Sequence, residues 1–178
     1  MSGDRLRLFC GLQLPDDAAR ALAAWRDAQL PGAARPVRPQ DLHVTLAFLG
    51  SRPADEVPVI ADALRACAAD ARPLALRPVG YRETRAVGML VLEDTDGAAA
   101  ALAAALQDRL AALGVYRREA RAWLPHVTLV RFRRPEGHRP DLANTCSIHV
   151  VRSALYRSTL GAGGATYDVL ETAALGGS

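Results

Sequence analysis

From residue 5 to residue 14 the chain alternates, with Leu6, Leu8, Cys10, Leu12 and Leu14 on one parity and Arg7 and Gln13 on the other. A period of two marks a strand with one buried face. Pro15-Asp16-Asp17 breaks the alternation, and Asp16 or Asp17 is a candidate N-cap for a helix reaching residue 29. Leu30-Pro31-Gly32 stops that helix, and a loop marked by Pro36 and Pro39 leads into a strand over residues 42–49. A helix over 54–70 and a strand over 74–81 follow. The opening order then recurs: a strand over 87–92, a turn at 93–97 with cap candidates, and an alanine-rich helix over 98–113 that stops at Gly114. A loop carrying Arg117, Arg118 and Arg121 leads to a strand over 124–132. Beyond it lie a looser segment, 136–144, and strands near 147–156 and 165–171.

The repetition extends to residue identity. His43-Val44-Thr45-Leu46 opens one strand and His126-Val127-Thr128-Leu129 another, and 34 residues separate Phe9 from His43 and Leu92 from His126. Each strand ends at an Arg-Pro break, Arg52-Pro53 and Arg134-Pro135. Order, spacing and tetrapeptide together predict an α+β protein of two pseudo-symmetric β-α-β lobes. Mainly antiparallel sheets would line a central cleft, with the helices outside. The expected organisation is one domain, 1–178, of two intertwined lobes, about 5–81 and 86–172.

Composition narrows the function. Half the residues are apolar and 23% are charged, an ordinary globular balance. All 22 basic residues are arginine, yet the net charge is only +3, without the basic stripe of a duplex-binding protein. Cys10, Cys67 and Cys146 are odd in number and widely spaced, which argues against a disulfide scaffold or zinc ribbon and for a reducing cytoplasm. No signal-peptide core opens the chain, and the most apolar stretch, 98–106, is too short to span a bilayer. A soluble cytoplasmic monomer with no membrane association is expected.

Within a strand, residues two apart share a face, so His43 with Thr45, and His126 with Thr128, face one way and the intervening valines the other. Each half thus offers an imidazole, able to exchange protons near neutral pH, and a neutral hydroxyl donor. Two such halves suit in-line displacement at phosphorus: one imidazole takes a proton from water, the other protonates the departing oxygen, and the threonines hold non-bridging oxygens. A strained five-membered cyclic phosphodiester on ribose fits that set without a metal. Metal binding is the competing use of paired histidines, but neither motif strand contains Asp or Glu, and His138 or His149 would have to be recruited. No metal and no cofactor are expected.

The two His-Val-Thr motifs, with RLRLFCGLQLPDD at the start and LYRSTLGAGGATYDVL near the end, resemble the two-histidine (2H) phosphoesterase superfamily over nearly the whole chain. Within it they resemble the RNA 2′,3′-cyclic phosphodiesterases, historically called 2′-5′ RNA ligases. The resemblance implies that His43 protonates the leaving 3′-oxygen and His126 activates water, leaving a 2′-phosphomonoester. Symmetry alone leaves those two roles open. It also implies phosphate binding by Thr45 and Thr128, and a phosphate or base contact from Arg131. Arg131 has the wrong strand parity for the cleft and needs a bend or bulge to reach it. The expected partners are RNA 3′ ends or nucleoside 2′,3′-cyclic phosphates. The alternatives are a 2′-5′ RNA ligase or phosphodiesterase acting on 2′-5′ linked RNA, and a non-catalytic RNA-end-binding module. Cys10-Gly11 stands where the family suggests an apolar residue and alanine, and segment 136–144 is the least family-like and a candidate for setting what the cleft admits. Phe9, Tyr156 and Tyr167 are expected to pack, and His138 and His149 to have no catalytic role.

Overall fold

A computed structural model describes residues 4–33, 35–161 and 164–176. Among the described residues, nine strands and three α-helices form an α+β fold in which the antiparallel sheet curls into a half-barrel. The strands are β1 (Arg5–Gln13), β2 (Arg35–Pro36), β3 (His43–Pro53), β4 (Leu74–Glu83), β5 (Val87–Glu93), β6 (His126–Arg131), β7 (Ile148–Val150), β8 (Arg152–Gly161) and β9 (Gly164–Ala174). The helices are α1 (Asp16–Gln29), α2 (Val57–Ala69) and α3 (Ala98–Ala112).

The sheet order is β7-β4-β5-β6-β3-β1-β8-β9, with β2 also pairing to β6. Its centre is the junction of the two motif strands. They meet through one antiparallel pair, Val44 with Val127, and then part, so that β2 rather than β3 pairs with Val130 and Arg131. Outward from that junction, each motif strand is flanked by the strand that precedes it through a helix, β1 beside β3 and β5 beside β6. The next strand on each side comes from the other half of the chain: β8 joins β1, and β4 joins β5.

Periodicity explains the helices. In α3 the buried residues are Ala99, Leu102, Ala103, Leu106 and Leu110, a spacing of three and four that forms one apolar stripe. Helix α2 buries Ile60, Leu64, Cys67 and Ala68 in the same way, and α1 buries Ala19, Leu22, Ala23 and Trp25. All three stripes join one hydrophobic cluster with the inward residues of the strands, including Val44 and Val127. The polar residues of the motif strands are thereby turned to the other side.

Several local expectations change. Asp16 and Asp17 do not cap α1: Pro15 occupies the cap position, and the acids sit in the first turn, where carboxylates favour the helix dipole. At α3 the carboxylates act from outside the helix. Asp94 accepts from the amides of Ala99 and Ala100, and Asp96 from that of Ala98, while Gly97 adopts φ 72°. The strand expected over 147–156 is two strands broken at Val151, and β2 is an addition that proline-rich sequence did not suggest. Cys10, Cys67 and Cys146 are free thiols. No helix among the described residues is long and apolar enough to cross a membrane.

Candidate active site

Each motif strand contains a bulge at the same place. Gly11 faces Thr45 and Cys10 faces Ala47, so Leu46 is the extra residue in β3; Met89 faces Thr128 and Gly88 faces Val130, so Leu129 is the extra residue in β6. A bulge inserts one residue and resets which side chains share a face. His43, Thr45 and Phe48 therefore lie on one side while Leu46 and Ala47 are both buried; His126, Thr128 and Arg131 repeat this over buried Leu129 and Val130. The bulge supplies the parity change that Arg131 requires. It also sets Phe48, five residues beyond His43, in the position that Arg131 holds beyond His126.

The bulged carbonyls have dedicated donors. Gln107 of α3 donates to the Leu46 carbonyl at 2.8 Å and the Trp123 indole donates to that of Thr45 at 2.9 Å. The Leu129 carbonyl accepts from the Val37 amide at 2.9 Å, and the Val37 carbonyl in turn accepts from buried Arg26. An unpaired backbone carbonyl in the interior is costly, so these contacts hold the irregularity in place.

The two imidazoles are gripped alike. Nδ1 of His43 lies 2.7 Å from the Asp41 carbonyl, and Nδ1 of His126 lies 2.8 Å from the Leu124 carbonyl. A carbonyl oxygen only accepts, so each Nδ1 carries the hydrogen and each Nε2 is left to exchange a proton. Asp41 itself is buried, its carboxylate held by Arg38 at 2.6 Å, which fixes the carbonyl that orients His43.

Their surroundings differ. His43 sits against Phe9, ring centroids 4.7 Å apart, and edge-on to Tyr167 at 5.2 Å; Phe9 stacks in turn on Tyr156. Burial lowers the His43 pKa to about 4, with Arg131 and His126 adding repulsion and the Asp41 carbonyl opposing. A Cβ at Gly11 would meet the Val44 carbonyl at 3.0 Å and the His43 and Tyr156 rings at 3.5 Å, so glycine here makes room for the aromatic box.

A cavity of about 300 Å³ contains His43, Thr45, Thr128 and Arg131, walled by Phe9, Phe48 and Tyr167. It adjoins a cavity of about 590 Å³ that contains His126, Arg82 and Trp123 and shares Thr45 and Phe48 with the first. All five residues singled out from the sequence thus line these two adjoining cavities. Phe9 and Tyr156 are buried, as expected of packing residues. Tyr167 differs: its hydroxyl accepts from Arg131 at 3.0 Å and its ring forms part of the wall. Phe48 and Trp123 are further wall residues that the sequence reading did not mark. Phe48 was legible in principle, being to His43 what Arg131 is to His126.

Segment 136–144 lines neither cavity, contrary to its expected part in admission. Glu83 ties it down instead, accepting from the amides of Glu136, Gly137 and His138 and lying 3.0 Å from His138 Nδ1, while the Trp25 indole donates to the Asp141 carbonyl. Burial works to raise the Glu83 pKa, but the amides of Gly137 and His138 and the His138 ring outweigh it and hold the carboxylate low. His149 is exposed on β7. Among the described residues no three His, Cys, Asp or Glu side chains are grouped to hold a metal.

Comparison with known proteins agrees with this architecture. Residues 14–149 match the model of the 2′-5′ RNA ligase superfamily. An RNA 2′,3′-cyclic phosphodiesterase of Thermus thermophilus is 31% identical over 97% of this chain and 91% of its own, and one of Escherichia coli is 28% identical over 95% and 96%. Among solved structures, E. coli LigT complexed with 3′-AMP superposes with a TM-score of 0.80 at 26% identity, covering 97% of this chain and 99% of that one. TT0787 of T. thermophilus does so with 0.80 at 30% identity and the same coverage. The matched span and the full-length relatives together make this chain a member of the 2′-5′ RNA ligase superfamily of two-histidine phosphoesterases, whose homologues are RNA 2′,3′-cyclic phosphodiesterases.

Proposed function

We propose that the protein hydrolyses 2′,3′-cyclic phosphate ends of RNA or nucleotides to 2′-phosphomonoesters by acid–base catalysis without a metal. The observation that carries this reading is the matched grip on the two imidazoles, each Nδ1 bound to a backbone carbonyl and neither Nε2 hydrogen-bonded among the described residues. His126 takes a proton from water as its oxygen bonds to phosphorus; the P–O3′ bond breaks and His43 gives its proton to the 3′-oxygen. Thr45 and Thr128 donate to the non-bridging oxygens, and Arg131 offsets their charge. The pentacovalent arrangement lies between the two halves, and return of the proton from His126 to His43 through solvent resets the site.

An acid must hold its proton when the bond breaks, whereas burial, with repulsion from Arg131, leaves His43 neutral in the free enzyme above about pH 4. The anionic phosphate offsets the repulsion from Arg131 and His126, so substrate binding raises the His43 pKa where the proton is needed. The relatives named for this activity, and LigT structures complexed with phosphate and 3′-AMP, support the choice of substrate.

The test is to treat the purified protein with EDTA, supply nucleoside 2′,3′-cyclic phosphates, and identify the product by phosphorus NMR. The 2′-monophosphate alone is expected; a 3′-monophosphate would reverse the leaving group, and loss of turnover with EDTA would end the metal-free mechanism. A second reading follows from the roughly 590 Å³ open beside His126, far more than one water needs. A 5′-hydroxyl entering there in place of water would give a 2′-5′ linkage, which adding a 5′-hydroxyl oligonucleotide to the same assay would reveal.

A further inference from the structure

Three cavities adjoin one another along the cleft. The middle one contains His43, Thr45, Thr128 and Arg131. On one flank it shares Thr45 and Phe48 with the cavity of His126. On the other it shares Arg131, Tyr167, Gly161 and Gly164 with a third cavity, of about 370 Å³. The first and third have no lining residue in common, so the third lies on the side away from His126.

That third cavity contains neither histidine nor motif threonine. Arg35, Arg38 and Arg131 line it against one carboxylate, Asp41, with Thr159 and Thr166 as neutral donors. Arg38 is committed to Asp41 and Arg131 to the Tyr167 hydroxyl. Arg35 is exposed and makes no ion pair among the described residues, so its guanidinium fork is open. Cationic excess with hydroxyl donors is the chemistry of a phosphate site. Ribose geometry says which phosphate. The 2′,3′ edge and the 5′-carbon lie at opposite ends of the sugar. With the cyclic phosphate between the histidines and the nucleoside in the middle cavity, the 5′-oxygen points to the side away from His126.

We propose that the third cavity binds the phosphate carried on the 5′-oxygen of the terminal nucleotide, which in a polymer is the phosphodiester to the penultimate nucleotide. Arg35 and Arg38 are then specificity-determining residues that favour RNA ends over free nucleoside cyclic phosphates. This inference rests on the hydrolytic reading above, with the nucleoside on the His43 side.

The experiment compares kcat/KM for three substrates: adenosine 2′,3′-cyclic phosphate, the same molecule with a 5′-phosphate, and the adenylate dinucleotide ending in a 2′,3′-cyclic phosphate. Both 5′-substituted substrates are expected to exceed the nucleoside by about tenfold or more, the scale of charge-assisted hydrogen bonds. That advantage should fall with salt at a log–log slope of about −0.7 for one phosphate. Arg35→Ala should remove most of it, Arg35→Glu all of it, and Arg35→Lys should restore part. Rates within twofold across the three substrates in the unmodified protein would overturn the proposal, as would an advantage that survives Arg35→Glu. An advantage lost in Arg82→Ala but kept in Arg35→Glu would put the second phosphate beside His126 and overturn it equally. If none of the three is hydrolysed, it is the hydrolytic reading that fails.

Discussion

The two halves of the cleft share a backbone and differ in their walls. In both, a His-x-Thr pair is followed by a one-residue bulge, a buried apolar pair and an outward residue, and each Nδ1 meets the carbonyl two residues upstream. Around His43 stand Phe9, Tyr156 and Tyr167; His126 borders a wider cavity with Arg82 and Trp123. The outward residue is Phe48 in one half and Arg131 in the other. In the proposed mechanism the shared backbone supplies two matched proton-transfer groups. Unequal walls set them in different surroundings, which the proposed reaction, with an entering and a leaving oxygen, requires.

The largest expected effect comes from removing either member of the pair. His43→Ala and His126→Ala should each lower kcat/KM on a nucleoside 2′,3′-cyclic phosphate by on the order of 10²- to 10⁴-fold, the usual weight of a general acid or base. A small loss in one alone would mean that the matched grip does not make matched partners.

The wall around His43 should also be visible in folding. Its pKa falls from 6.5 unfolded to about 4 folded, chiefly through burial. Between those values the unfolded chain binds a proton that the folded protein resists, so stability declines as pH is lowered from 6.5 to 4 and is unaffected by this group at higher pH. The full shift corresponds to about 3 kcal/mol at most. Denaturant titrations of the protein and of His43→Gln should therefore converge or cross as pH falls through that window, and parallel curves would contradict the burial argument.

A smaller effect separates the outward residues. Arg131→Ala should raise KM by about tenfold through loss of a charged contact to the anionic substrate. Phe48→Ala, which removes an exposed ring, should change it by about threefold or less. Equal effects would mean that the two walls are interchangeable.

Much of this was legible because it is periodic. The alternation over residues 5–14 predicted β1, the alanine-rich run stopped by Gly114 predicted α3, and the doubled His-Val-Thr-Leu marked both motif strands. Arg131 exposed the limit of parity: a regular strand turns it away from the cleft, and the register shift at Leu129 that turns it back has no separate mark in the sequence. β4 joins β5 through a short hairpin that the two-lobe division cut across, whereas the pairing of β8 with β1 is long-range, which local pattern does not encode. Tyr167 looked like packing because its role depends on Arg131, 36 residues away, arriving beside it. The weak proline-rich strand β2 was hidden because its pairing is decided by where β3 and β6 part.

The most direct measurement is the pH dependence of kcat/KM, between about pH 3.5 and 9, for the unmodified protein, His43→Ala and His126→Ala. For two coupled groups the profile is a bell whose limbs report the free enzyme. The acid limb should lie near pH 4, where His43 titrates. Because a base must have lost its proton and an acid must keep it, the acid limb should disappear only in His126→Ala and the alkaline limb only in His43→Ala. A bell that persists in either variant, or a profile without limbs in the unmodified protein, would contradict the claim that these two imidazoles form the acid–base pair.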